Sequence, residues 1–327
     1  VTGAGHFYIK QKETDFTELF VFPFGSSADI MKSNIHHTNL YLYSQINCPK
    51  NVIFTIGGSG DFYRGGIVDE NQFNPKFGVT WNPFSGTTLR AAVFRVFKRT
   101  LITDQTLEPT QVAGFNQFFD DADGTKSWRV GVAVDQKFSK DLYGGVEYSG
   151  RKLDVPFLFS TGLGLPEVHE VDWKEQLGRA YLYWTPHPWF GLSAEYQYER
   201  FDREKEFVAG IRNVKTHRVP LGINFYHPSG FSAQLKTTYI NQEGKFQPQG
   251  TPPGTFIPGE DQFCIVDASI SYRLPKRYGL ITVGVKNLFN KSFKFQDTDT
   301  HLGAVNSALS PTIQPKRLVF GKFTLAF

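Results

Sequence analysis

Charged side chains fall on one face of several alternating segments of the chain. Arg129, Ala133 and Asp135 share one face of such a segment, because the side chains of a strand alternate between two faces. Ionised groups along one face suit the wall of a polar passage, where their charges select among ions and solutes. The candidate wall residues are Lys76, Arg129, Lys137, Glu147, Arg151, Arg179, Glu195, Arg218, Lys236, Asp267, Lys286 and Lys322.

Two interpretations of these charges stay open from the sequence. They line an open path for a solute, or opposite charges on neighbouring strands pair and brace a narrow wall. Basic residues outnumber acidic ones in the set, so an open path would prefer anions weakly. The long segment Thr100–Gly124 is a candidate to fold inward and narrow the path. Glycines on the same face predict room inside it: Gly57, Gly78, Gly131, Gly222 and Gly284.

The sequence offers little support for catalysis or for a bound cofactor. No Gly-x-Ser-x-Gly motif occurs, and none of the eight histidines has a serine at motif spacing, so we predict that the chain is not an enzyme. The run Asp120–Gly124 is acidic but lacks the full ligand spacing of a calcium loop, and we interpret it as an exposed acidic turn. Neither a metal nor a cofactor is expected.

The two cysteines, Cys48 and Cys264, are predicted to be free thiols. Cys48 falls in a short turn and Cys264 near the far end of a strand, which separates them by more than the few ångströms that a disulfide spans. No Cys-x-x-Cys pair occurs, which disfavours zinc and haem.

Amphipathic strands run from one end of the chain to the other, about 14 in number, within the range of single-chain outer-membrane barrels. Short and long connections alternate between them. The short ones are Cys48–Asn51, Pro83–Gly86, Ser139–Asp141, Pro186–Pro188, His227–Gly230 and Leu274–Gly279; the long ones are Glu13–Ser33, Thr100–Gly124, Pro156–Val168, Glu204–Ile211, Gly244–Asp261 and Thr298–Pro315. This sorting predicts an all-β fold: a transmembrane antiparallel up-and-down β-barrel with short periplasmic turns and long extracellular loops.

Aromatic residues flank the short turns repeatedly. Tyr and Trp favour the membrane interface, where one side of the ring meets lipid and the other meets water. The pattern therefore predicts a girdle at the periplasmic side of the membrane, which includes Trp81, Trp184, Trp189, Tyr272 and Tyr278.

The composition fits a barrel in the bacterial outer membrane. Aromatic residues make up 16% of the 327 residues, and the mean hydropathy is only −0.31, as expected when each lipid-facing residue is followed by a polar one. No run of about 18 apolar residues suggests a transmembrane helix. The formal net charge of +4 is too small to indicate nucleic-acid binding. We interpret residues 1–327 as one barrel domain of a mature secreted chain, in contact with outer-membrane lipid and lipopolysaccharide.

Three stretches near the C-terminal end resemble the barrel of TonB-dependent outer-membrane receptors. They are Val266–Tyr272, Gly284–Asn290 with its Gly-x-x-Asn-Leu-Phe-Asn spacing, and Arg317–Phe327. Further likeness to these barrels lies in Asn74–Gly78, in Thr88-Leu89-Arg90 and in Leu107-Glu108-Pro109. The resemblance implies that the final strand, ending at Phe327, is the signal for outer-membrane assembly. These receptors carry a plug domain, and no plug-like segment or TonB box occurs within the 327 residues.

The expected function is an outer-membrane channel or transporter that passes a small solute of unknown identity. Two alternatives stay open. The chain is the barrel of a plugged TonB-dependent uptake receptor, or it is a structural or export barrel that anchors a periplasmic domain or partner. An N-terminal domain outside these residues would distinguish the alternatives.

Overall fold

The computed structural model describes residues 1–19, 25–100, 108–118, 121–159, 167–204, 211–247, 251–252, 254–293 and 316–325. Fourteen of its strands form one antiparallel sheet in sequence order, in agreement with the predicted number. No helix in this described part is long and apolar enough to cross a membrane. The one helical element that we assign there is the short 3-10 helix Pro275–Arg277.

The strands of the main sheet are long, and most neighbours in the sheet are neighbours in the sequence. They are β1 Thr2–Leu19, β2 Gly25–Asn47, β3 Val52–Arg64, β4 Glu70–Trp81, β5 Thr87–Phe97, β8 Lys126–Lys137, β9 Leu142–Phe159, β10 Glu167–His187, β11 Phe190–Arg203, β12 Ile211–Tyr226, β13 Phe231–Phe246, β14 Ile257–Arg273, β15 Gly279–Lys286 and β16 Leu318–Leu325. Two further strands, β6 Gln111–Val112 and β7 Phe115–Asn116, pair with each other in the connection between β5 and β8.

The chain divides into two compact units. Unit 1 comprises Val1–Val79, Ala92–Arg129 and Leu153–Val171, and unit 2 comprises Thr80–Ala91, Val130–Lys152 and Asp172–Phe327. In unit 1, β1 pairs with β2 and β2 with β3. In unit 2, the strands from β10 to β16 pair successively.

In both units the side chains alternate between an exposed apolar face and a polar face. On β8, Val132 is 54% exposed whereas Ala133 is 5% exposed. The apolar face includes Leu40, Leu42, Phe54, Ile56, Phe73 and Phe77 in unit 1, and Val130, Val132, Val134, Leu182, Leu221, Ile223, Ile270 and Val283 in unit 2. So many exposed apolar side chains on one face are typical of a surface that contacts lipid or another protein rather than water.

The predicted short turns agree with the structure, but three predicted long loops are too long. The segment Glu13–Ser33 continues as β1 to Leu19 and resumes as β2 at Gly25, and Pro156–Val168 and Gly244–Asp261 are shortened in the same way. Backbone hydrogen bonds extend a strand pair regardless of side-chain polarity. A strand can therefore continue where the sequence shows no clear alternation of polar and apolar residues. The predicted loop Thr298–Pro315 lies outside the described residues.

The Gly284–Asn290 motif forms a compact turn after β15. Asn287 and Asn290 both adopt positive φ angles, 49° and 55°, which asparagine tolerates better than most residues. The carboxylate of Asp267 on β14 accepts a hydrogen bond from the backbone N–H of Asn287 at 2.8 Å. Asp267 was predicted as a wall residue, and in the structure its carboxylate stabilises this turn through that hydrogen bond.

Gly57 and Gly284, two of the glycines predicted to leave room on the polar face, do not do so. A Cβ atom on Gly57 would lie 2.8 Å from the ring of Tyr43, and one on Gly284 would lie 2.5 Å from the ring of Phe320. The missing Cβ atom is what lets a neighbouring aromatic ring lie flat on the sheet. The space is therefore filled by side chains of adjacent strands.

Both cysteines are free and exposed, as predicted. Cys48 lies in the turn between β2 and β3, and Cys264 lies in β14. Either thiol is therefore open to a labelling reagent unless lipid covers it.

A charge placed on the apolar face should destabilise the fold more than the same charge on the polar face. Val283→Arg on β15 replaces an exposed apolar residue, and we expect a cost of about 2–4 kcal/mol in lipid. Thr282→Arg, one residue earlier on the polar face, should cost clearly less. Urea unfolding in lipid vesicles measures both values. Equal losses at the two positions would contradict the assignment of the faces.

Candidate functional site

The polar face of unit 1 carries a buried cluster of charged and amide side chains. At its centre, the carboxylate of Asp61 on β3 accepts hydrogen bonds from Asn39 at 2.9 Å and Asn74 at 2.8 Å, and it bonds with His37 Nε2 at 2.8 Å. These side chains come from β2, β3 and β4, whose register brings Asn39 directly opposite Asp61. A carboxylate with this many partners can remain buried.

Residues 108–118, which we call the inner segment, lie against this polar face. The segment turns back on itself at Ala113 and Gly114, whose φ angles of 47° and 84° suit a tight hairpin between β6 and β7. Val112 and Phe115 beside the turn are fully buried. The sequence marked Thr100–Gly124 as a candidate to fold inward, and residues 108–118 of that connection contact the polar face.

Glu108 of the inner segment inserts its carboxylate among donors of the strands. Tyr43 on β2 donates its hydroxyl to Glu108 Oε1 at 2.5 Å. Lys76 Nζ on β4 lies 3.5 Å from the same oxygen, and Arg99 Nη1 lies 3.7 Å from Oε2. All four side chains are almost entirely buried. Three donors therefore converge on one carboxylate, and we call Tyr43, Lys76 and Arg99 the cradle.

Gln117, at the other end of the inner segment, bonds to the same group of residues. Its amide oxygen accepts a hydrogen bond from Lys76, and its amide nitrogen donates to the Tyr43 hydroxyl at 3.0 Å. The Lys76 ammonium also donates to the backbone carbonyl of Arg95 at 2.6 Å. Lys76, predicted as a wall residue, is thus covered by the inner segment.

Close backbone approach fixes the hairpin tip on β4. A Cβ atom on Gly78 would lie 2.8 Å from the Cβ of Ala113, so only glycine lets the hairpin sit this near. Arg129 on β8 donates to the backbone carbonyl of Asn116 at 2.7 Å and stacks on the ring of Phe118. Arg129 was also predicted to line the wall, and it instead holds the inner segment.

The base of the β5–β8 connection is pinned at both ends. The N–H of Lys98 donates to the carbonyl of Thr125, and the N–H of Gly124 donates to the carbonyl of Lys98, both at 2.8 Å. The Lys98 ammonium lies 2.8 Å from Asp123. The prediction of an exposed acidic turn is therefore wrong for the described part, because Asp121 is buried and Asp123 pairs with a lysine. Among the described residues, no group of three or more His, Cys, Asp or Glu side chains could hold a metal.

The polar face of unit 2 carries ion pairs that remain partly accessible to solvent. Arg179 on β10 pairs with Glu195 on β11 at 2.9 Å, and the hydroxyl of Tyr183 donates to the same carboxylate. Arg90 on β5 bridges Asp135 at 2.7 Å and Glu147 at 3.1 Å. The sequence identified Arg179, Glu195 and Glu147 but missed Arg90, because the alternation along β5 is poorly resolved in the sequence.

Two of the remaining wall candidates also pair within unit 2. Arg151 lies 3.4 Å from Glu175, and Arg218 lies 3.5 Å from Glu199. Of the two interpretations that the sequence left open, pairing across strands describes these side chains. The lysines that remain exposed on the polar face are Lys137, Lys236, Lys286 and Lys322.

The predicted girdle residues keep exposed or half-exposed rings. Trp81, Trp184, Trp189 and Tyr278 are exposed, and Tyr272 packs its ring 4.7 Å from that of Phe231. Their role at a membrane interface stays a prediction. Phe327, the predicted assembly signal, lies outside the described residues.

A second aromatic band on the apolar face, toward the long loops, was not predicted. The Tyr196 hydroxyl and His217 Nδ1 lie 2.7 Å apart, and the ring of Tyr198 lies 5.3 Å from that of His217. Further toward the loops, Lys215 donates to Glu243 at 2.8 Å, and this hydrogen bond lowers the pKa of the Glu243 carboxyl. The period-two register from Leu192 to Tyr198 indicates this band, because it places the two tyrosines Tyr196 and Tyr198 on the apolar face.

Comparisons with known proteins identify the fold. No family model matches the chain, and no curated protein matches it. The chain is similar to a mutant of the ferric enterobactin receptor PfeA from Pseudomonas aeruginosa, with a TM-score of 0.61 and 16% identity over 90% of this chain and 45% of that one. It is similar to the outer membrane transporter YddB from Escherichia coli, with a TM-score of 0.62 and 10% identity over 99% of this chain and 50% of that one. It is also similar to the iron transporter FrpB from Neisseria meningitidis, with a TM-score of 0.60 and 12% identity over 80% of this chain and 42% of that one.

The chain therefore has the fold of an outer-membrane β-barrel, and specifically of the TonB-dependent receptor-like barrel. This confirms the resemblance found in its C-terminal strands. The chain spans about half the length of these solved structures, or slightly less. At these sequence identities the similarity establishes the fold alone. It does not identify a solute or a partner of this chain.

Loss of the Tyr43 hydroxyl from the cradle should destabilise the protein more than loss of the Tyr41 hydroxyl, which lies outside the cradle. Tyr43→Phe leaves the buried Glu108 carboxylate without its shortest donor, and we expect a loss of about 1.5–3 kcal/mol. Tyr41→Phe, on the same face of β2, should change stability by less than about 0.5 kcal/mol, because its ring lies over Gly3 rather than on a carboxylate. Urea unfolding of the two variants in lipid makes the comparison. Similar losses would contradict a stabilising role for the Glu108 contact.

Proposed function

We propose that residues 1–327 form one barrel domain that passes a small solute across the outer membrane. The apolar face contacts lipid and lipopolysaccharide, and the polar face lines the pathway. Support comes from the two-faced strands and from structural neighbours that are described as a receptor for ferric enterobactin, an outer membrane transporter and an iron transporter. These neighbours are transporters or receptors, so we assign no catalytic activity to the chain.

The observation that carries this proposal is the inner segment on the polar face. A purely structural wall does not require a polar face in contact with water. A permanently open pore does not require a hairpin bound to its wall. A hairpin held by the buried Glu108 and Gln117 side chains is suited to narrow a pathway.

The charges of the polar face predict weak selectivity. The paired side chains cancel one another locally, as in Arg179 with Glu195. The exposed lysines of the same face leave a positive excess, and basic linings favour anions. The expected preference is therefore small and in favour of anions.

A second candidate function is the barrel of a ligand-gated uptake receptor. It is favoured by the ferric enterobactin receptor among the similar structures, which is about twice as long as this chain. In that case the polar face would contact a plug, and the barrel alone would conduct poorly. A third role, as an anchor for a periplasmic partner, has no observation of its own in the described residues.

Conductance after removal of the inner segment tests the pathway. Lys98 and Thr125 are joined by a backbone hydrogen bond, so a short Gly-Ser linker can replace residues 101–121 and close a β5–β8 hairpin. In planar bilayers under a KCl gradient, we expect a low conductance from the wild type and a conductance several-fold higher from the variant, with a weak anion preference. A silent variant that inserts normally would contradict the pathway, and a cation preference would contradict the charge argument.

A further inference from the structure

We propose that the cradle is an anion-binding site of the wall, that Glu108 occupies it as a tethered carboxylate, and that a solute bearing a carboxylate competes with Glu108 for it. The first part concerns the site alone. The second part, in which the competitor is the transported solute, rests on the proposed function.

Two of the three cradle donors belong to the sheet and the third closely follows a strand, while the carboxylate lies further along the connection. Tyr43 lies in β2, Lys76 in β4 and Arg99 two residues after β5, whereas Glu108 precedes the hairpin of β6 and β7. A site built on strands keeps its geometry when a loop moves, because paired strands hold their side chains in place. The cradle can therefore exist without Glu108 in it.

Removal of the Glu108 carboxylate would leave the cradle with an excess of positive charge. Lys76 and Arg99 are both buried, and the other nearby carboxylate, Asp61, lies 3.6 Å from Arg99. Asp61 already has three partners on β2 and β4, His37, Asn39 and Asn74. Loss of the Glu108 charge would leave the buried Lys76 and Arg99 side chains less compensated, which favours the entry of another anion.

The donors select a carboxylate over a spherical anion. Oε1 of Glu108 meets the Tyr43 hydroxyl and the Lys76 ammonium, and Oε2 faces the Arg99 guanidinium. A planar group with two oxygens, directed to donors on different strands, satisfies this arrangement. A spherical anion such as chloride has no second atom to face Arg99.

The inner segment is attached in a way that allows exchange. In the described chain, β6 and β7 pair with each other and not with the main sheet. The contacts that hold the segment run through side chains, as in Tyr43 with Glu108, Lys76 with Gln117, and Arg129 with the Asn116 carbonyl. A carboxylate in solution can replace the first of these without breaking a strand ladder.

Chemical rescue tests the site by itself. Glu108→Ala removes the side chain that propionate resembles, and we expect the purified full chain in detergent to unfold at a lower Tm than the wild type. Sodium propionate should raise that Tm saturably, with half-saturation near about 1 mM for a ligand of five non-hydrogen atoms. Propionamide, which lacks the charge, should have no such effect. A flat response to propionate, or an equal response to propionamide, would overturn the site.

Two variants control for non-specific ion effects. Glu108→Ala combined with Lys76→Met should lose the response to propionate, because a donor of the cradle is gone. Glu243→Ala removes an exposed carboxylate that pairs with Lys215, and its Tm should not respond. If Glu108→Ala does not fold, Glu108→Gln serves instead, and propionate should shift its Tm more than that of the wild type. A smaller shift than in the wild type would contradict the proposal.

Single-channel current separates the site from the transport function. The current through Glu108→Ala should exceed that of the wild type and should fall as propionate is added. A propionate-dependent Tm with an unchanged current would contradict the transport half and leave the anion site standing. A Tm that ignores propionate contradicts the site whether or not the protein conducts.

Discussion

Inside a bilayer, backbone N–H and C=O groups find no water, so each strand must satisfy them through its neighbours. The fourteen-stranded sheet of this chain meets that requirement by pairing strands in sequence order. Once the backbone is paired, the two faces become independent. One face can be apolar for lipid, and the other is free to carry charges, which is why Val132 and Ala133 can differ so strongly in exposure.

The polar face is organised by a second constraint, the cost of burying charge. Lys76, Arg99, Asp61 and Glu108 are all nearly inaccessible to solvent, and removing one partner from such a group is strongly destabilising. The inner segment therefore contributes to the stability of the polar face. Its Glu108 completes the charge balance of the strands, and Gly78 gives the hairpin the space to come close enough.

The period-two alternation made much of the fold predictable: the strand number, the short turns, the two faces and the free cysteines. The site was less predictable because its contacts join distant parts of the sequence. Lys76 was recognised as a residue of the polar face, but its proximity to Glu108 follows from how an aperiodic connection folds back. Gly78 was expected to leave space, whereas Ala113 fills it. The extension of β1 was missed because residues 13–19 show no clear alternation of polar and apolar residues.

The charge balance around Glu108 has a consequence for how the sequence can drift over evolutionary time. A neutral residue at position 108 would remove a negative charge from beside Lys76 and Arg99, and a neutral residue at position 76 would remove a positive charge from beside Glu108. Substitutions at these two positions should therefore be accepted in pairs, and alignments of relatives should show them co-varying. Gly78 and Ala113 are coupled sterically, because a larger residue at either position would require the hairpin to move away from β4. The connection between β5 and β8 should consequently tolerate insertions less readily than the other long connections of the sheet.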